Sequence, residues 1–103
     1  MSLTTQQVND TIHEFQQNFI ISELSVEQIA TELQTSTEKI QHILNLQQKS
    51  IEDPWILKIF LEQHISKIGK TPVAFTALQG DYHQYWFLNT KKIDNMKLSK
   101  GDK

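Results

Sequence analysis

Leu24-Ser25-Val26-Glu27-Gln28-Ile29-Ala30-Thr31-Glu32-Leu33-Gln34-Thr35-Ser36-Thr37-Glu38-Lys39-Ile40-Gln41-His42-Ile43-Leu44-Asn45-Leu46 reads as two short helices joined by a turn. Ser25 and Gln28 have the spacing of a capping box, in which each side chain satisfies a backbone N–H of the other. Leu24 and Ile29 flank that cap as a hydrophobic staple. The first of the two helices should run to about Leu33. Gln34, Thr35 and Ser36 form a break, after which Thr35 with Glu38, or Ser36 alone, can cap a second helix ending near Gln47. Ile40, Ile43 and Leu44 share one face of it. Ile29 and Leu33 would meet Ile40 and Ile43 if the helices cross at Ala30, where a larger side chain would push them apart. These offsets are those of a helix-turn-helix at about residues 25–46. Gln34 stands where the turn often carries glycine, so it must accept an unusual backbone conformation or a changed turn.

Outward from this unit, the chain reads as mainly α. Val8, Ile12, Phe15 and Phe19 recur at helical spacing and predict a helix from about Thr5 to Ile20, with Thr4 and Gln7 as a capping box. Asp53-Pro54 predicts the start of a fourth helix over about 53–68, with Asp as the cap and Pro at the first helical position. Its apolar residues wrap most of the way round, which implies a central, buried helix. Gly69 suits a left-handed C-cap, and Pro72 stops continuation. Residues 73–88 can form a hairpin around Gln79-Gly80-Asp81, or a short aromatic helix capped by Asp81, the latter slightly preferred. The expected architecture is a compact helical bundle with one domain over 1–90 and a polar, lysine-rich, mobile tail over 91–103.

Composition narrows the function. At 103 residues with 38% hydrophobic and 21% charged residues, the chain is sized for a single ordinary globular core. Zero cysteines exclude a disulfide framework and a thiol nucleophile. No apolar run approaches the roughly 20 residues of a membrane helix, and Met1 to Gln7 lacks the zones of a secretory signal, so a cytoplasmic location is expected. All ten basic residues are lysines. Residues 1–50 hold two of them against six acids, a net charge of −4, whereas the other half is net +2. The helix-turn-helix therefore lies in the acidic half and lacks the footprint of a tight nonspecific nucleic-acid binder.

If the second motif helix enters a major groove, Ser36, Thr37, Glu38, Gln41 and His42 face outward near its N-terminal end. Gln41 can fork onto adenine, Glu38 can accept from cytosine, and Ser or Thr can meet phosphate, a base edge or a thymine methyl. Gln28, Lys39, Asn45 and Lys49 are candidates for positioning on the phosphate backbone. The alternative is that these residues form only the solvated polar face of a three-helix packing unit.

Asp81, Tyr82, His83, Tyr85 and Trp86 concentrate acid, imidazole and aromatic groups in six positions. An Asp–His pair can orient an imidazole for general-base work. No nucleophile arrangement, phosphate loop or metal-ligand set accompanies it, and His64 and His83 lack ligand spacing. Packing of Tyr85, Trp86, Phe87 and Leu88 against the fourth helix accounts better for these residues. Part of the aromatic set can instead form a homodimer seam, since helix-turn-helix regulators commonly pair about a two-fold axis.

The segments Leu24-Ser25-Val26-Glu27-Gln28-Ile29-Ala30, Glu52-Asp53-Pro54-Trp55-Ile56-Leu57 and Phe75-Thr76-Ala77-Leu78-Gln79-Gly80-Asp81-Tyr82-His83-Gln84-Tyr85-Trp86-Phe87-Leu88 resemble a bacterial family catalogued as domain of unknown function 2316. The resemblance covers nearly the whole chain and implies a bacterial protein related in its first half to helix-turn-helix regulators. It brings no catalytic residues. The expectation is a DNA-binding transcriptional regulator, partnered by double-stranded DNA and by a second copy, with no catalytic activity, cofactor, metal, membrane or known small-molecule ligand. A helical protein-interaction module that does not bind DNA is the alternative.

Overall fold

Local signals account for where most helices start in the computed structural model, which describes residues 4–47, 50, 52–78, 88, 90–96 and 98. Helix α1 spans Thr5–Ser22, α2 Val26–Glu32, α3 Thr37–Leu44, α4 Asp53–Lys67 and α5 Thr90–Asp94. Both capping boxes form. The Gln7 N–H donates to Thr4 Oγ1 at 3.1 Å and the Thr4 N–H to Gln7 Oε1 at 2.9 Å. The Gln28 N–H likewise donates to Ser25 Oγ at 3.1 Å and the Ser25 N–H to Gln28 Oε1 at 2.8 Å. Of the two caps considered for α3, Ser36 is the one used, its Oγ accepting from the Lys39 N–H at 3.1 Å.

Helix ends depart further from expectation. The α3 helix stops at Leu44 rather than near Gln47, and α1 continues to Ser22. Chain reversal relies on left-handed residues that are not glycine: Glu23, Gln34, Leu46 and Met96 have φ of 62°, 58°, 52° and 55°. After α2, the Gln34 N–H bonds to the Thr31 carbonyl at 3.2 Å and the Thr35 N–H to the Ala30 carbonyl at 2.9 Å, the paired bonds of a Schellman ending. Gly69, at φ 83°, closes α4 in the same way through Gly69 N–H to Ser66 O and Lys70 N–H to Ile65 O. Gln34 thus takes the unusual conformation rather than changing the turn. Gln34→Gly should relieve about 1–2 kcal/mol of left-handed strain against about 0.5–1 kcal/mol of added chain entropy. The expected result is a rise of a few degrees in melting temperature by calorimetry, and a fall would show the strain to be negligible.

The start of α4 corrects the sequence reading. Glu52 occupies the N-cap and makes no side-chain cap bond, while Asp53 is the first helical residue and Pro54 follows it. Asp53 is instead fully buried, its carboxylate 3.1 Å from Lys39 Nζ. The core joins Phe15 of α1, Ile29, Ala30 and Leu33 around α2, and Ile40, Ile43 and Leu44 of α3 to the α4 residues Trp55, Ile56, Leu57, Leu61 and Ile65. The α4 surface is less covered than its sequence suggests, with Ile59 and Phe60 half buried and Ile68 exposed.

Residues 71–78 form no strand but pass across α1 as an irregular segment that bends at 76–78. Asn18, fully buried, grips Val73 twice, its Nδ2 donating to the carbonyl at 2.9 Å and its Oδ1 accepting from the N–H at 2.8 Å. One turn earlier, the Glu14 carboxylate accepts from the Thr76 N–H at 3.2 Å and its hydroxyl at 2.9 Å. These bonds set Phe75 edge-on to Phe15, with ring centroids 4.9 Å apart. The aromatic residues from Tyr82 to Phe87, and with them the choice between hairpin and helix, lie outside the described residues. Leu88 is buried in the core. The tail expected from Lys91 onward begins instead within α5, whose Ile93 is buried among core residues and anchors that helix to the bundle.

Candidate functional site

The expected reading surface depends on how α3 is seated. Its inward stripe of Ile40, Ile43 and Leu44 meets Ile29, Ala30 and Leu33, with Ala30 at only 4% exposure, so the small side chain lies where the two helices pack. Glu38, Gln41 and Asn45, spaced three and four apart, are left together on the exposed face. Thr37 and His42 are half buried at its edges, and Ser36 is exposed at the N-cap.

Several of these side chains already have local bonds. Asn45 Nδ2 donates to the Gln41 carbonyl at 2.9 Å, which serves the end of α3. Thr37 Oγ1 approaches Glu38 Oε1 at 3.4 Å, too long to hold either side chain firmly. Gln28 commits its Oε1 to the capping box and lines a separate groove between α2 and α4. Lys49 lies outside the described residues.

Lys39 requires a correction. Expected on the phosphate side of α3, it is 3% exposed and turned inward onto Asp53. The apolar stem of a lysine lies readily along a core, but its ammonium needs a partner when water is removed. Asp53 provides one, and as an acid in the first turn of α4 it also suits the positive end of that helix. Since Lys39 is the only lysine from 4 to 47, the exposed Glu27, Glu32 and Glu38 of α2 and α3 have no outward lysine on either helix.

The groove between α2 and α4 was not anticipated. It encloses about 580 Å³, with Leu24 and Phe60 at its apolar base. Glu27, Gln28, Thr31 and Glu32 line its α2 side, and Gln63, His64 and Lys67 its α4 side. The α4 members, with Phe60, fall at 60, 63, 64 and 67, a helical stripe visible in the sequence once α4 is known not to be buried all round. Phe60 and His64 stack with their planes 16° apart. Nearby, Lys70 binds the exposed Glu23 carboxylate and holds it below the ordinary carboxylate range. That contribution is present above the ordinary carboxylate pKa and is lost as pH falls through the lowered value.

Among the described residues no three His, Cys, Asp or Glu side chains are placed to share a metal ion. No described helix is long and apolar enough to cross a membrane. Asp81 and His83 lie outside the described residues.

By architecture the chain is an all-helical protein with two short, closely packed helices presenting a polar face. It belongs to the family of uncharacterised proteins conserved in bacteria designated domain of unknown function 2316, whose model matches residues 1–89. No curated protein and no solved structure matches it significantly.

Proposed function

We propose that α2 and α3 form a DNA-binding helix-turn-helix with α3 in the major groove, and that the protein regulates transcription. The observation carrying this reading is the conjunction of a buried Ala30 between the helices, a left-handed Gln34 in the turn and an outward stripe of Glu38, Gln41 and Asn45. Gln41 is the residue assigned to adenine, and Glu38 to the cytosine amino group. Ser36 and Thr37 sit at the positive end of α3, where backbone N–H groups favour a phosphate. Lys39 supports the helix from inside, so phosphate attraction on this face is small and base-edge contacts carry most of the affinity.

Selection from a random duplex library with purified wild type and a Gln41→Ala/Asn45→Ala variant tests this reading. Wild type should enrich one sequence. Loss of a forked contact to a base should weaken the variant by about 1–3 kcal/mol, roughly five- to 150-fold, without changing its melting temperature by more than a degree or two. Absence of enrichment by folded wild type would refute the proposal. A protein-interaction module is the second reading, favoured by the exposed acids of α2 and α3, whose one lysine is turned inward.

A further inference from the structure

The groove between α2 and α4 combines an apolar base with an acidic edge. Leu24 and Phe60 are half buried and pack against the core while still lining the groove. Glu27 and Glu32 are exposed on the α2 side, and neither carboxylate is engaged by a cation of the described chain. Their neighbour Glu23, by contrast, is tied to Lys70. The α4 stripe from Phe60 to Lys67 spans two turns, about 10 Å at 1.5 Å per residue, the footprint left by one face of a crossing helix.

We propose that this groove is a docking site for a basic amphipathic helix of a partner protein. Its apolar side chains lie on Leu24 and Phe60, and its lysine or arginine side chains reach Glu27 and Glu32. Helix-in-groove recognition works through such an apolar stripe, with flanking charges fixing the orientation. Lys67 on the opposite edge turns the basic side of the partner toward α2. Charge complementarity selects this occupant. A phosphate backbone would be repelled by the α2 edge, and α1 of a second copy, whose exposed side chains are Thr, Gln, Asn, His and Ile, carries no lysine to meet Glu27 and Glu32. The proposal uses a surface other than the outward face of α3 and does not depend on DNA binding.

The test is an NMR titration of the isotopically labelled full chain with a leucine–lysine amphipathic peptide of about four helical turns, and with its leucine–glutamate counterpart. Saturable shifts are expected at Glu27, Thr31, Gln63 and Lys67 with the lysine peptide and none with the glutamate peptide. Glu27→Gln/Glu32→Gln removes two exposed ion pairs and should weaken binding about five- to tenfold. Asp10→Asn/Glu38→Gln removes the same charge away from the groove and should weaken it by less than about twofold, the residual long-range effect expected at moderate salt. Melting curves of both exposed-site variants should overlay that of wild type. No saturable binding, shifts confined to other surfaces, or equal weakening by the two variants would overturn the proposal. So would concentration-dependent shifts of groove residues without peptide in a protein sedimenting as a dimer, since a second copy would then occupy the groove.

Discussion

Lys39→Ala is expected to lower the unfolding free energy by about 3–5 kcal/mol, the usual effect of removing one member of a buried ion pair. The ammonium of Lys39 and carboxylate of Asp53 lie 3.1 Å apart with side-chain exposures of 4% and 1%. Asp53 would lose this cation at a position water scarcely reaches. The lower end of the range is favoured because the positive end of α4 still faces Asp53. Joint replacement, Lys39→Met/Asp53→Leu, removes both charges while keeping apolar volume, and should restore stability to within about 1 kcal/mol of wild type. Urea denaturation of Lys39→Met, Asp53→Leu and the double variant measures the coupling directly. Additive losses would show that the pair contributes little as a pair. A DNA-binding defect in Lys39→Ala would consequently report the seating of α3 on α4, not a lost phosphate contact, whereas Gln41 and Asn45 can be altered without touching the core.

Phe15→Ala should have a comparable effect, about 3–5 kcal/mol. Phe15 is fully buried and supports Phe75 from below, so its removal opens a cavity in the centre of the core and loosens the irregular segment that Asn18 and Glu14 hold by its backbone. A small helical domain has a total stability of only about 5–15 kcal/mol, so the variant should show an early, broad thermal transition. Phe15→Leu, which refills much of the volume, should recover most of the loss. A loss below about 1 kcal/mol for alanine would mean that Phe75 drops into the vacated space, and raised amide exchange at Val73 and Thr76 would reveal the displacement.

The parts of the fold legible in the sequence are those written within one helical turn. Thr4 with Gln7 and Ser25 with Gln28 declare helix starts because each partner is three residues away. The apolar period of α3 likewise marks its buried side, whereas on α1 only Phe15 of Val8, Ile12, Phe15 and Phe19 is fully buried, next to the polar Thr11, Glu14, Asn18 and Ser22. Contacts between distant residues leave no such trace. Nothing near Asn18 announces a bond to Val73, 55 positions on, or near Glu14 one to Thr76, 62 positions on. Lys39 illustrates the same problem for function. Helical position and charge suggest an outward phosphate contact, but Asp53 provides an inward partner, and Asp53 itself looked like a helix cap. Left-handed Glu23, Leu46 and Met96 were equally hidden, because non-glycine residues tolerate that conformation only where the surrounding fold imposes it. The groove leaves no plain trace because apolar residues wrapping most of the way round α4 imply a central, buried helix, whereas Phe60 is only half covered.

The most direct measurement of the central claim is amide chemical-shift mapping of the labelled chain with the duplex that wild type enriches from the random library, beside a scrambled duplex of equal length, at low ionic strength, where the phosphate contribution is largest. Reading of DNA by α3 predicts progressive shifts at Ser36, Thr37, Glu38, Gln41 and Asn45 that diminish with added salt. A folded protein with no shifts, or with shifts confined to surfaces remote from α3, would contradict it.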